Sequence, residues 1–424
     1  MSGHGWRSRL WPVRLGRNAG LITAARVPMS AGRAIAGVVI PVYLARAGYS
    51  ALELGLLFML VAITSGVFSL GIGLASDHLG RKPFLVVVPL LTALAGLALA
   101  LTLNPVVVFM AASLGSFGRG GGAGGGMVGP YRPAEQALLT QSVPPVLRTS
   151  AFARINFASS VGGVLGSLLV VGLVSDHGPR AQLLGAYRPA LLAIAGCSLL
   201  AGVLAIWLLE VARPHQEAAR APIPMFPRRS RPLLYRMWVV NGLNGAATGM
   251  FGPFMTYWLY RRYGVGAATI GELYAVVNAA TLVANLAASP LARRLGIVRA
   301  TTWFRILQSV LLVPMVLSPT FLLAGAFYLV RMMAQRVALP LRQSYVMGVA
   351  DGDELARVSA WSSVPSQVTS AAAPALAGDL FEHALLSLPF LLGGALQLAS
   401  ALAFYAFFRH RPPAEETAAS DDSA

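Results

Sequence analysis

Twelve apolar runs follow one another along this chain, near residues 20–45, 52–74, 83–103, 105–128, 151–174, 188–209, 236–260, 268–290, 299–317, 320–345, 358–381 and 386–408. Each approaches the ~20 residues that a helix needs to cross a bilayer. In lipid the backbone must satisfy its own hydrogen bonds, and runs this long do so as helices rather than as barrel strands. Composition points the same way. Of 424 residues, 56% are hydrophobic and 12% charged, against roughly 25% charged in soluble domains. The expected fold class is an all-α polytopic membrane protein with twelve transmembrane helices.

The charge is +17, almost all of it arginine, with Lys82 the only lysine. Arginines such as Arg7, Arg14, Arg81, Arg148, Arg228, Arg294, Arg357 and Arg411 fall in turns on one side of the membrane. The other side receives Arg46, Arg180, Arg188, Arg261 and Arg262. Basic loops stay in the cytoplasm, so both termini are expected there, in a multi-pass protein of a bacterial inner (plasma) membrane. The basic N-terminus runs into a long first helix without a small-residue cleavage site, so no cleaved signal peptide is expected. The arginines are scattered over many turns and form no folded basic face, which argues against nucleic acid. Cys197 is the one cysteine and lies in an apolar run; it reads as a packing residue.

A proline- and arginine-rich segment divides the runs six and six. The expected domains are an N-terminal six-helix bundle over 1–210, a cytoplasmic linker over 211–233, a C-terminal six-helix bundle over 234–409 and a disordered cytoplasmic tail over 410–424. The halves echo each other. Pro41-Val-Tyr-Leu-Ala-Arg46, Gly48 and Gly55 return as Thr256-Tyr-Trp-Leu-Tyr-Arg261, Gly264 and Gly271. Pro133-Ala-Glu-Gln136 returns as Pro340-Leu-Arg-Gln343, and the turn at Gly80 has a worn copy ending at Gly296.

That turn lies between spans two and three. Gly73, Asp77, Gly80, Arg81 and Lys82 fit Gly-x-x-x-Asp-[Arg/Lys]-x-Gly-Arg-[Arg/Lys], with His78 where a basic residue is usual. It resembles the loop between helices two and three of the major facilitator superfamily. The resemblance covers nearly the whole chain and implies two pseudo-symmetric bundles, with a midplane substrate site reached alternately from each side. It also implies a cytoplasmic gating role for the motif. Arg119-Gly-Gly-Gly-Ala-Gly-Gly-Gly126 is similar to the Arg-x-x-Gln-Gly-x-Gly pattern of the drug:proton antiporters, where the arginine is linked to proton transfer. Gly122 and Ala123 depart from that pattern. Span five has Gly162, Gly163 and Gly166 without the proline those antiporters carry.

An arginine inside a span costs at least ~2.5–3.5 kcal/mol by insertion scales, so it faces a wet cavity or a partner. Arg33, Arg119 and Arg331 are the cavity candidates, while Arg26 reads as snorkelling to the interface and Arg305 as an anchor. Asn241, Asn244 and Thr248 share one face of span seven; Asn278, Thr281 and Asn285 share one of span eight. Such stripes serve either as interhelical hydrogen bonds or as a cavity wall. Asn241, Asn244 and Asn278 join the arginines as expected substrate-cavity residues. Arginine stays protonated, so a coupled proton needs a carboxylate. Glu135, near the end of span four, is the preferred proton site together with Arg119; the alternative is that it pairs with a turn arginine such as Arg148. Glu272, about a turn into span eight, and Asp379, near the outer end of span eleven, are further carboxylate candidates.

No catalytic or metal-ligand constellation appears, and neither an enzymatic activity nor a cofactor or metal is expected. The glycine cluster around Arg119 lacks the Gly-Lys-[Ser/Thr] ending of a phosphate loop. The expected function is secondary transport of a small molecule by alternating access, as proton-coupled efflux of an amphipathic drug or metabolite by a monomer in the lipid bilayer. The alternatives are an organic anion held by intramembrane arginines, and a transporter-like scaffold or sensor that moves nothing.

Overall fold

The computed structural model describes residues 16–117, 129–144, 147–174, 183–210, 230–349, 355–383 and 385–409. Helix boundaries follow local chemistry. α1 (Arg17–Ala47) ends where Gly48 turns left-handed at φ 100° and its amide closes on the last carbonyls. Ser50 then starts α2 (Ala51–Leu79) with a capping box. Its hydroxyl accepts from the Glu53 amide at 3.1 Å, and the Glu53 carboxylate accepts from the Ser50 amide at 2.7 Å. Gly80, at φ 87°, turns the chain into α3 (Lys82–Leu101), and Asn104 caps α4 (Pro105–Gly115).

α5 (Arg132–Ser142), α6 (Arg148–Leu173) and α7 (Leu183–Ile206) follow in the N-terminal half. The C-terminal half has α8 (Arg231–Phe251) continued by α9 (Met255–Tyr263), then α10 (Ala267–Leu295). It goes on with α11 (Ile297–Val310) and its continuation α12 (Leu312–Leu317), then α13 (Phe321–Val349), α14 (Leu355–Glu382) and α15 (Leu388–Phe408). The breaks have proline causes. Pro253 and Pro314 have no amide to give to the carbonyls of Gly249 and Val310, so spans seven and nine each restart.

Among the described residues, nine helices are long and apolar enough to cross a membrane. The crossings that miss that standard are the fourth, made of α4 and α5, the seventh, made of α8 and α9, and the eleventh, α14. α14 turns Ser362, Ser363, Ser366 and Gln367, and α5 turns Arg132, Glu135 and Gln136, to the space between the halves.

The halves meet along two seams, α2 against α14 and α6 against α10. Each seam is a close crossing at a glycine. Gly55 faces Gly378, and a side chain there would strike the Pro374 carbonyl. Gly271, its repeat partner, sits against Ser167 and Val170. Glu382 on α14 also accepts from the Ala51 amide at 2.9 Å, tying the start of α2 to the opposite half.

Candidate functional site

The cores show where the halves touch. One apolar cluster is shared by both, built from residues such as Ile40, Tyr43, Leu54, Phe58 and Tyr187 on one side and Phe254, Trp258, Tyr274, Phe381 and Phe390 on the other. All lie at the end of the helices far from the termini. Phe58 meets Phe254 edge-on at 5.4 Å, and the Thr256 hydroxyl donates to the Gly37 carbonyl at 2.9 Å across the halves. At the end bearing the termini the cores are separate. One holds only N-terminal-half residues, among them Ile22, Leu85, Leu138 and Ala205; the other holds only C-terminal-half residues, among them Met237, Val298, Tyr345 and Phe404. The molecule is therefore sealed at the far end and parted at the end of its termini.

A cavity of about 630 Å³ fills the gap, a size suited to a small molecule. Its N-terminal wall is Arg26 of α1, Arg132, Glu135, Gln136 and Leu139 of α5, and Phe152, Ile155 and Asn156 of α6. Its C-terminal wall is Asn241 of α8, Arg342 of α13, and Ser362, Ser363, Ser366 and Gln367 of α14. A second hollow, between α2 and α4, is lined by Leu60, Val106, Phe109, Met110 and Leu114 and opens on the lipid-facing surface. It lacks the convergent polar groups of a ligand site.

In the N-terminal wall Arg26 and Glu135 form a buried ion pair at 2.9 Å. Arg26 Nε donates to Ser159 Oγ at 2.6 Å, and an Nη donates to the Tyr131 hydroxyl at 3.2 Å. Arg26 thus does not snorkel. It lies nine residues into α1, ~14 Å from its start at 1.5 Å per residue, and its charge is met inside the half. Glu135 takes this arginine as partner and not Arg148, which is exposed.

The C-terminal wall carries a matching pair with different chemistry. Arg342 donates to Asn241 Oδ1 at 3.2 Å, and Asn241 Nδ2 donates to the Ser362 carbonyl at 2.6 Å. Aligning the repeats at Arg46 and Arg261 sets Arg26 opposite Asn241, and aligning them at Gln136 and Gln343 sets Glu135 opposite Arg342. The two pairs occupy equivalent places. Arg305 lies deeper, bonded to Asn244 Oδ1 at 2.9 Å and Ser400 Oγ at 2.8 Å. It is 3% exposed, so it is no interfacial anchor. It is close enough to Arg342 for the two charges to repel. Among the described residues the C-terminal half's carboxylates, Glu272, Asp379 and Glu382, are exposed at the far end.

The structure brings Asn241 and the expected proton site Glu135 to this cavity, while Arg33, Asn244, Asn278 and Arg331 are not among the residues that line it. Arg33 is buried with its guanidinium beside Gly129 and the Tyr131 ring. Arg331 stacks over the Phe251 ring at 4.5 Å and reaches Gln397 at 3.4 Å. Asn244 serves Arg305, and Asn278 donates to Ser167 at 3.4 Å on the seam between the halves. Arg119 and the side chains of Asp77 and Asn285 lie outside the described residues.

In the turn, Gly73 belongs to α2, and Gly80 begins the bend. The amides of Arg81 and Lys82 donate to the two carboxylate oxygens of Glu210, at 2.8 and 2.9 Å. Glu210 was not picked out from the sequence, though it is a lone acid directly after an apolar span. Among the described residues, no three His, Cys, Asp or Glu side chains come together as a metal site.

The sequence matches the family model described as Major Facilitator Superfamily over residues 22–237 and again over 237–423. No curated protein matches it in sequence. Among solved structures, the nucleoside transporter NupG aligns over 93% of this chain and 100% of its own, with TM-score 0.69 at 12% identity. A D-xylose-proton symporter aligns over 92% and 97%, with TM-score 0.67 at 14% identity. A bacterial homologue of the human lysosomal transporter Spinster, in an inward-facing and unoccupied conformation, aligns over 92% and 95%, with TM-score 0.64 at 12% identity. At these identities the likeness is one of fold.

Proposed function

The chain belongs to the Major Facilitator Superfamily, and from that premise we propose that it exports a small amphipathic molecule across a bacterial inner membrane in exchange for protons. The cavity between the halves is the substrate site, and both termini are cytoplasmic. The observation that carries this reading is the contrast of the two ends, one apolar core joining the halves at the far end and two separate cores around a cavity at the other. With the arginine-rich turns in the cytoplasm, this is an inward-open state, and rocking the halves about the α2–α14 and α6–α10 seams exposes the same cavity outward.

Leu139, Phe152 and Ile155 offer an apolar wall opposite serines, Gln367 and Asn241, which suits an amphipathic cargo. Glu135 is the carboxylate at the cavity, and a proton on it removes the charge that holds Arg26. The turn from Gly73 to Lys82 gates the cytoplasmic side, braced by Glu210.

The test is transport by proteoliposomes under an imposed proton gradient. A candidate compound accumulates against its gradient with the native protein, and Glu135→Gln abolishes the accumulation while leaving downhill exchange. Uphill transport that is indifferent to Glu135→Gln would overturn the assignment of the coupling site; accumulation that ignores the proton gradient would overturn proton coupling.

A further inference from the structure

We infer that the cargo is an amphipathic carboxylate whose head group binds Arg342, in the place that Glu135 fills for Arg26 in the other half. The inference rests on the transport reading and names the chemical class of its substrate.

The argument starts from the repeat. In the N-terminal half an arginine on the first helix meets a carboxylate on the fourth, at 2.9 Å. In the C-terminal half the equivalent positions hold an asparagine and an arginine, Asn241 and Arg342, at 3.2 Å. An amide oxygen shares the hydrogen bond but not the charge. Among the described residues no carboxylate pairs with Arg342, and Arg305 adds a second positive charge close by. A guanidinium facing a cavity walled by helices draws in a counter-ion, because desolvation is expensive for an unpaired charge and a carboxylate matches its forked donors. Arg342 lines the cavity, so the missing anion can come from the substrate.

The other wall adds to this. Arg132 also lines the cavity, while the charge of Arg26 is already answered by Glu135, so the lining keeps an excess of positive charge. Leu139, Phe152 and Ile155 stand across from Arg342 and take the apolar body of the molecule. A cationic drug would meet Arg342 and Arg132 with no described carboxylate left unpaired to receive it.

The test uses three probes of one shape, 2-naphthoate, neutral 2-naphthalenemethanol and cationic 2-naphthylmethylammonium, titrated calorimetrically into the purified full-length protein in nanodiscs. The expected result is saturable binding of 2-naphthoate at least ~10-fold tighter than either of the others, the margin of one charge-assisted hydrogen bond. Arg342→Gln removes that margin, and Arg342→Lys keeps part of it. Asn241→Asp supplies Arg342 with a carboxylate of its own and abolishes 2-naphthoate binding in a protein that stays folded and monodisperse. This variant separates loss of the anion site from loss of the fold. The inference is overturned if the alcohol or the ammonium binds as well as the carboxylate, or if none of the three binds. It is also overturned if 2-naphthoate binding survives Arg342→Gln and Asn241→Asp. Alternating access is measured independently, by distances between labels at the two ends, and stands or falls apart from these outcomes.

Discussion

The two halves repeat one design, and they differ in how they treat charge. In the N-terminal half Arg26 and Glu135 neutralise each other, and Arg26 also donates to Ser159 and Tyr131. In the C-terminal half Arg342 and Arg305 rely on amide and hydroxyl oxygens from Asn241, Asn244 and Ser400. The first pair is neutral. The second, among the described residues, leaves net positive charge beside the cavity. The repeated scaffold thus sets a neutral pair on one side of the cavity and a cationic one on the other.

The largest effect expected from this contrast is in the neutral pair. Glu135→Ala leaves Arg26 buried without its counter-charge and destabilises the protein by about 3–5 kcal/mol. Replacing both partners, Arg26→Met with Glu135→Leu, recovers most of that loss in thermal unfolding, because the desolvation penalty goes with the pair. If the double variant is as unstable as Glu135→Ala, the pair is not the isolated unit described here.

Next in size is the seam. Gly55→Ala and Gly271→Ala each force a methyl group into a helix crossing, at a cost of about 1–3 kcal/mol. Because both crossings belong to the sealed far end, both variants also favour states with that end parted. Equal label accessibility of the far end in variant and native protein would show that the glycines play no part in sealing it.

In the cationic pair, Arg342→Met removes one hydrogen bond and one costly charge together. Its stability effect is within about 1 kcal/mol, far below that of Glu135→Ala. A loss as large in both halves would erase the distinction between them. Smallest is Glu210→Gln. Glu210 is exposed, and replacing it weakens two hydrogen bonds to the Arg81 and Lys82 amides for well under about 1 kcal/mol. Its visible consequence is faster hydrogen exchange at those two amides; unchanged exchange would show that Glu210 does not brace the turn.

Much of the architecture was legible because lipid imposes simple rules. Long apolar runs give the helices, and the internal echo gives equivalent geometry at Gly48 and Gly264, Gly80 and Gly296, and Gly55 and Gly271. The helix Arg132–Ser142 was harder, since hydropathy ends span four at residue 128 and α5 is polar on the face it turns to the cavity. Buried arginines were harder still. Distance from a span end makes Arg26 and Arg305 look like anchors, and only the packing of α6 and α15 around them shows partners 133 and 95 residues away. Arg342 was visible in the repeat as the counterpart of Glu135. Its meaning depended on knowing that Asn241, and no acid among the described residues, stands beside it.

Two label distances, read together, test alternating access most directly. One pair, at Gln136 and Gln367, spans the cavity; the other, at Glu53 and His383, spans the sealed end, and all four positions are exposed. In nanodiscs without added ligand, lowering the pH shortens the first distance while the second lengthens in the same fraction of molecules. If one pair moves without the other, or both stay at one distance under every condition, the halves do not rock about a common cavity and the account is wrong.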